Sequence, residues 1–302
     1  MNPFEEMQTF VRIVDAGSIT KAAEQMDTVK SAVSRRLAEL EKRLGVTLLT
    51  RTTRSQALTE SGKVYYEQSM RIMDDLAEIE AGIKNEHCAL AGKIKIAAPL
   101  SFGLRHLAPA LRQFNLQHPH IHFDVDFNDR KIDLIEEGFD IAIRIANLSD
   151  STLIARKITS IKPVICASPS YLEKYGEPAT PHDLTDGHVR LRYNLIPEAW
   201  NFIDENGSDL SLKFETAISA NNGDYLCDEA IAGRGILNSP DFICYQAIRS
   251  GELVPILKDY VKDRRLNAYA VYPQTRHLSK RVRRLVDFLA DYFGDVPYWN
   301  LV

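Results

Sequence analysis

Residues 28–54 read TVKSAVSRRLAELEKRLGVTLLTRTTR, and this stretch decides the fold of the N-terminal part of the chain. Val33, Leu37, Leu40 and Leu44 recur at helical spacing before Gly45, so they form the inward stripe of one helix. The opposite face carries Ser31, Arg35, Ala38 and Lys42, with Ser34 on its flank and Lys30 in the first turn. After the helix, Thr47-Leu48-Leu49 and Ala57-Leu58 are short apolar pieces separated by Arg51-Thr52-Thr53-Arg54-Ser55, which predicts a hairpin with a basic tip. The stretch holds seven basic and two acidic residues in a chain of formal net charge -4, so its positive charge is local.

Working outward, Phe4, Met7, Val11 and Val14 mark a first helix that stops at Gly17, a residue suited to a helix C-terminus. Ser18 is placed to cap a short second helix, Ile19 to Met26, whose Ala22 and Ala23 permit close approach of a neighbour. Asp27 and Thr28 break that helix, and either is expected to cap the third. Three short helices followed by a hairpin predict a winged helix-turn-helix. A major groove about 12 Å wide admits such a helix; arginine can donate twice to guanine, serine reads either partner, and alanine allows close approach. Arg51 and Arg54 on the wing would meet phosphates, which add affinity and register without reading sequence. A solvated basic face would look the same in isolation; the surrounding pattern distinguishes the two.

From Thr59 to about Glu86 there is no proline, and Tyr65, Ile72, Leu76, Ile79 and Ile83 keep a heptad-like spacing. A single long helix is expected, its seam paired with that of a second copy. Beyond Gly92 the texture changes to alternating strands and amphipathic helices: Ile94 and Ile96, then a helix with Leu104, Leu107, Leu111 and Phe114, then Ile121 to Phe127, and so on to a closing helix with Val282, Leu285, Val286 and Leu289. Parallel strands buried under helices are the expectation. The chain is predicted to leave a first lobe near Lys162-Pro163 and return near Asn267-Ala268.

Several of these residues together resemble the N-terminal signature of LysR-type transcriptional regulators: Phe10-Val11 to Val14, Gly17-Ser18, Thr20, Ala22-Ala23, Ser31 to Arg36, Leu40-Glu41, Leu44-Gly45, Leu48-Leu49, Arg51, Arg54, Leu58-Thr59 and Gly62. The likeness extends more loosely through Asp140-Ile141-Ala142-Ile143-Arg144, Cys166 to Leu172, Gly176, Pro178 and Pro181 to Leu184. Leu49, where phenylalanine is usual, and Val29-Lys30, where glutamine or proline is frequent, depart from the pattern and bear on operator choice. The resemblance implies a tetramer built as a dimer of dimers, an inverted-repeat site, and a sensor similar to periplasmic binding proteins. The expected fold is therefore an N-terminal all-α winged helix-turn-helix (residues 1–58), a long linker helix for dimerisation (59–91) and a C-terminal α/β two-lobed periplasmic-binding-protein-like sensor (92–302). Lobe I takes 92–162 and 268–302, and lobe II takes 163–267.

The expected DNA contacts are Ser18, Thr20, Lys30, Ser31, Ser34, Arg35, Arg51 and Arg54. Ligands of open α/β folds bind at the carboxyl ends of strands, and the positions that border the inter-lobe cleft in the family match Ser101, Phe102, Asn222 and Gly223 here, with Arg144 as a charged candidate. The plainer readings are a helix cap for Ser101 and an ion pair with Asp140 or Glu137 for Arg144. Expected partners are double-stranded promoter DNA with a pseudo-palindromic site, a small-molecule effector, further copies of the chain and RNA polymerase.

No phosphate loop, nucleophile elbow or HExxH motif is present, and Gly233-Arg234-Gly235 lacks the third glycine of a dinucleotide site, so neither an enzyme nor a cofactor is expected. His118, His120 and His122 alternate but lack a further ligand, so no metal is expected. The four cysteines, Cys88, Cys166, Cys227 and Cys244, form no CxxC pair; a redox-sensing regulator using Cys227 and Cys244 is the alternative input. A stand-alone solute-binding protein fits residues 92–302 but leaves the basic helix unexplained. Without a leader or a long apolar run, a cytoplasmic location away from membranes is expected.

Overall fold

The computed structural model describes residues 2–51, 56–84, 90–130, 132–146, 154–261, 266–273 and 278–300. The chain divides into two compact units, residues 1–90 and 91–302.

In the first unit, helices α1 (Pro3–Ala16), α2 (Ile19–Gln25) and α3 (Lys30–Leu44) enclose a core of Phe10, Ile13, Ile19, Ala22, Ala23, Val33, Leu37 and Leu40. The punctuation predicted for α1 and α2 is present: Gly17 adopts a left-handed conformation, and Ser18 Oγ accepts the Lys21 N–H at 3.1 Å. The expectation for α3 is corrected. Its cap position is Val29, no side chain caps it, and Asp27 instead takes φ 48° to turn the chain. The turn needs that left-handed residue, which removes Asp27 from reach of the first helical amides. Strands β1 (Leu49–Arg51) and β2 (Gln56–Leu58) pair antiparallel, Leu49 opposite Leu58, and α4 (Glu60–Lys84) follows. Gly62 is obligatory: a Cβ there would lie 2.0 Å from the Leu48 carbonyl oxygen. Thr59 Oγ1 joins the same junction, accepting the Gly62 N–H at 2.9 Å and donating to the Thr47 carbonyl at 2.8 Å. Tyr65 and Tyr66 pack on the helical core, whereas Val64 and Ile72 of α4 are exposed.

The second unit holds two five-stranded sheets. One contains β3 (Ala91–Ala98), β4 (His120–Phe127), β5 (Ile141–Ala146), β6 (Ile154–Ile161) and a late strand, β14 (Leu266–Tyr272), in the order β4-β3-β5-β14-β6. Between β3 and β4 run α5 (Leu100–Phe102), a π turn (Gly103–Leu107) and α6 (Ala108–Gln117). The other sheet contains β7 (Pro163–Ala167), β8 (Arg190–Tyr193), β11 (Thr216–Ala220), β12 (Ile236–Pro240) and β13 (Val254–Pro255), in the order β11-β8-β12-β7-β13. Around it are α7 (Pro169–Tyr175), a hairpin of β9 (Trp200–Ile203) and β10 (Asp209–Leu212), α8 (Gly223–Ile231) and α9 (Asp241–Ser250); α10 (Lys280–Phe293) closes the chain.

The expectation of parallel strands holds for part of each sheet and is corrected for the rest. β3 is parallel to β4 and β5, but β14 is antiparallel to β5 and β6, and β7 to β12 and β13. The chain passes from the first sheet to the second at Lys162 and is in the first sheet again from Leu266, and the outgoing β6 and the returning β14 run in opposite directions. The apolar pattern from Phe214 to Ile218 predicts a strand there, and the strand observed begins two residues later, at Thr216. Phe214 is instead a packing residue, edge-on to Trp200 at 5.0 Å and under the Arg190 guanidinium.

Candidate nucleic-acid interface and inter-lobe cleft

The two faces of α3 separate as the sequence predicts. Val33, Leu37 and Leu40 are buried, while Lys30, Ser31, Arg35, Ala38 and Lys42 are exposed and Ser34 is half-buried. Two charges of the basic stretch serve the fold. Arg43 pairs with the buried Glu6 of α1 at 2.8 Å, and Glu41 accepts the Leu48 and Leu49 amides at 2.7 and 3.2 Å, which pins the entry to the wing. Thr20 is exposed and Ser18 half-buried at the start of α2. Without a side-chain cap, the first-turn amides of α3 add partial positive charge beside Lys30. The surface left over is donor-rich, with small residues between the long ones, as close approach to base edges and phosphates requires. Arg51 lies on β1 opposite Gln56, and Arg54 falls outside the described residues.

In the second unit, residues at or beyond strand ends of the two sheets meet, Asp129 beyond β4 facing Tyr193 at the end of β8. Ser101 is buried just beyond β3, and Gly103 must lack a side chain because a Cβ would meet the Phe127 ring at 2.3 Å. Asn222 caps α8 by accepting the Tyr225 N–H at 2.8 Å, and a Cβ on Gly223 would strike Ile243 at 2.4 Å. The two segments are held together by an ion pair, with Arg105 Nε 2.9 Å from Asp224 Oδ1. Arg144 makes neither predicted ion pair: its Nη2 donates to the Ile132 carbonyl at 2.8 Å, while Asp140 accepts the Lys95 N–H and Glu137 pairs with Arg130.

Phe102 is placed differently from a cleft-lining residue. Its ring is fully buried among Phe242 (5.3 Å), His106, Phe293 and Trp299, because an aromatic ring beside so many others gains more from that core than from a wet cleft. His106 completes this cluster. Its Nε2 donates to the Phe242 carbonyl at 3.0 Å, a group that can only accept, so Nδ1 accepts from the Tyr298 hydroxyl at 2.6 Å. Burial pushes His106 down to about 4 and keeps the imidazole neutral. Asp129, just beyond β4, and Tyr193, at the end of β8, are not among the residues that the sequence marks. The carboxyl-end rule that marks Ser101 also marks them, once the strands are known.

Cys166, Cys227 and Cys244 are all buried between β7, α8 and α9. Cys244 beside it and burial raise the Cys166 thiol, and burial drives Cys227 up to about 12, so both resist ionisation at neutral pH. Cys88 falls outside the described residues. His118 ends α6 with its ring against Phe114, and His120 and His122 are exposed on the edge strand β4. Among the described residues no group of three His, Cys, Asp or Glu is arranged to hold a metal, and no helix is long and apolar enough to cross a membrane.

Residues 4–63 match the profile of the bacterial regulatory helix-turn-helix proteins of the lysR family, and residues 89–294 match that of the LysR substrate binding domain. An HTH-type transcriptional regulator of Haemophilus influenzae is 38% identical over 93% of this chain and 98% of its own. The solved structure of CrgA, a LysR-type transcriptional regulator from Neisseria meningitidis, is similar at a TM-score of 0.63 and 34% identity, covering 96% of this chain and 99% of CrgA. Full-length AphB, a virulence activator of Vibrio cholerae, is similar at a TM-score of 0.61 and 27% identity, covering 97% and 99%.

Proposed function

Because the chain belongs to the LysR family of helix-turn-helix transcriptional regulators and carries that family's substrate-binding domain, we propose that α3 reads a pseudo-palindromic promoter site while a small molecule held between the two α/β lobes sets the regulator's activity. The chain is a transcriptional regulator and not an enzyme. The observation that carries the reading is the division of α3, whose apolar stripe is spent on the core while Ser31, Arg35 and Lys42 stay exposed. Ser31, Ser34 and Arg35 contact base edges; Ser18, Thr20, Lys30, Arg51 and Arg54 hold phosphates. Exposed Val64 and Ile72 on α4 support pairing of that helix with a second copy, and two such dimers form the tetramer. The domains follow the division 1–58, 59–91 and 92–302, and the protein works in the cytoplasm, with RNA polymerase as a further partner.

In the cleft, Ser101, Arg144, Asn222 and Gly223 border the effector, and Phe102 backs Ser101 from the core. Effector binding changes the relation of the lobes, and with it the spacing of the DNA-binding heads and the bend they impose. The thiol alternative is weaker, because Cys227 and Cys244 are shielded and the Cys227 thiol is held protonated. Arg35→Ala tests the DNA reading: specific operator affinity should fall by about 1–3 kcal/mol, with discrimination relaxed at one base position. A uniform, salt-dependent loss on every sequence would refute base reading by Arg35.

A further inference from the structure

The rim of the cleft carries acids where an incoming anion would need donors. Asp129, just beyond β4, accepts the Leu100 N–H on Oδ1 at 3.2 Å, the first amide after the Pro99 turn at the end of β3. The same carboxylate faces the Tyr193 hydroxyl at the end of β8 in the other lobe, and burial together with that negative neighbour raises the phenol's pKa. Arg105 is matched by Asp224 at 2.9 Å, and the Asn222 side-chain oxygen is committed to the Tyr225 amide. One donor that could hold a ligand carboxylate, the Leu100 amide, is thus already taken by an acid of the chain itself, and the charge of Arg105 is balanced by Asp224. A simple carboxylate entering beside Leu100 would have to displace Asp129 and then lie against its like charge, in a half-buried site where such repulsion is weakly screened.

We propose, resting on the reading of this cleft as the effector site, that the effector presents a protonated amine to Asp129 and that Asp129 selects amine-bearing molecules over simple carboxylates. An ammonium group donates to the free lone pairs of Asp129 and to the Tyr193 oxygen, joining the two lobes through the ligand. Arg144, on the strand next to β3, has a fork of donors of which one reaches the Ile132 carbonyl. An acid elsewhere on the same ligand is therefore compatible, and amino acids fall within the class.

A plain structural role for Asp129, holding the turn at Leu100, is met equally by asparagine, whose side-chain oxygen accepts the same N–H; only the charge is lost. The full chain and its Asp129→Asn variant are titrated calorimetrically with benzylamine, putrescine and L-phenylalanine, and with benzoate and succinate as carboxylate counterparts. The wild type should bind at least one amine and neither carboxylate, and Asp129→Asn should weaken that amine by about tenfold or more with its unliganded melting temperature unchanged. A panel in which no amine binds, or in which a carboxylate binds the wild type more tightly than its amine counterpart, overturns the proposal, and so does equal amine affinity in Asp129→Asn. Ser101→Trp, which fills the cleft, separates the two claims: amine binding that survives it places the ligand elsewhere and sinks the cleft reading itself, whereas carboxylate binding abolished by it leaves the cleft standing and only the ligand class wrong.

Discussion

Asp241 offers a measurable cost built into the second unit. It is 2% exposed at the start of α9, its own N–H donates to the Lys162 carbonyl at 2.8 Å where the chain crosses between sheets, and its carboxylate accepts the Phe242 N–H at 2.9 Å. Burial outweighs these amides and pushes the carboxyl from 3.8 up to about 6. The native state therefore binds more protons than the unfolded state between those values, so stability contributed by this group falls as pH rises from about 4 to 6 and stays low above that window. At about 1.4 kcal/mol per pH unit, the full gap is worth about 3 kcal/mol at pH 7.5 and about half of that at pH 5. Asp241→Asn keeps an acceptor for the Phe242 amide and removes the charge. Its urea unfolding should show a gain of about 1–3 kcal/mol at pH 7.5 that roughly halves at pH 5. Both tryptophans, Trp200 and Trp299, lie in residues 91–302, so their fluorescence reports this unit alone. A loss of stability at pH 7.5, or a gain that does not change with pH, would refute the reasoning.

Two further outcomes follow from packing. Gly62→Ala drives a methyl group to 2.0 Å from the Leu48 carbonyl oxygen, so residues 1–90 should lose about 1–3 kcal/mol by circular dichroism and operator binding should weaken; a wild-type melting curve would refute the clash. Cys166, Cys227 and Cys244 should react with a disulfide reagent at neutral pH only as the protein unfolds, leaving at most one of the four thiols to react at once; rapid titration of two or more, with altered DNA binding, would favour the redox input.

The first unit was largely legible in the chain because its organisation is local. Val33, Leu37 and Leu40 sit one or two turns apart, Gly17 and Gly45 stop helices by their own backbone freedom, and Ser18 caps a helix through an amide three residues away; each signal acts within a few residues of itself. The exception is the start of α3, where a turn with Asp27 at positive φ overrides a favourable capping residue. Hydrophobic alternation likewise located most strands of the second unit, though not β6, β8, β13 or the β9–β10 hairpin, whose short length or one-sided or polar faces leave little periodicity.

Sequence by itself determined the helices of the first unit, many strands of the second and which side of α3 is free to meet a partner, since these follow from the spacing of apolar residues. Only the tertiary structure decided the rest: the direction of β14, the burial of Phe102 with Phe242, Phe293 and Trp299, the Ile132 carbonyl as partner of Arg144, and the meeting of Asp129 with Leu100 and Tyr193. These contacts join residues about 30 to 200 positions apart in most cases. No local pattern encodes them, because they exist only after distant segments of the chain have packed together.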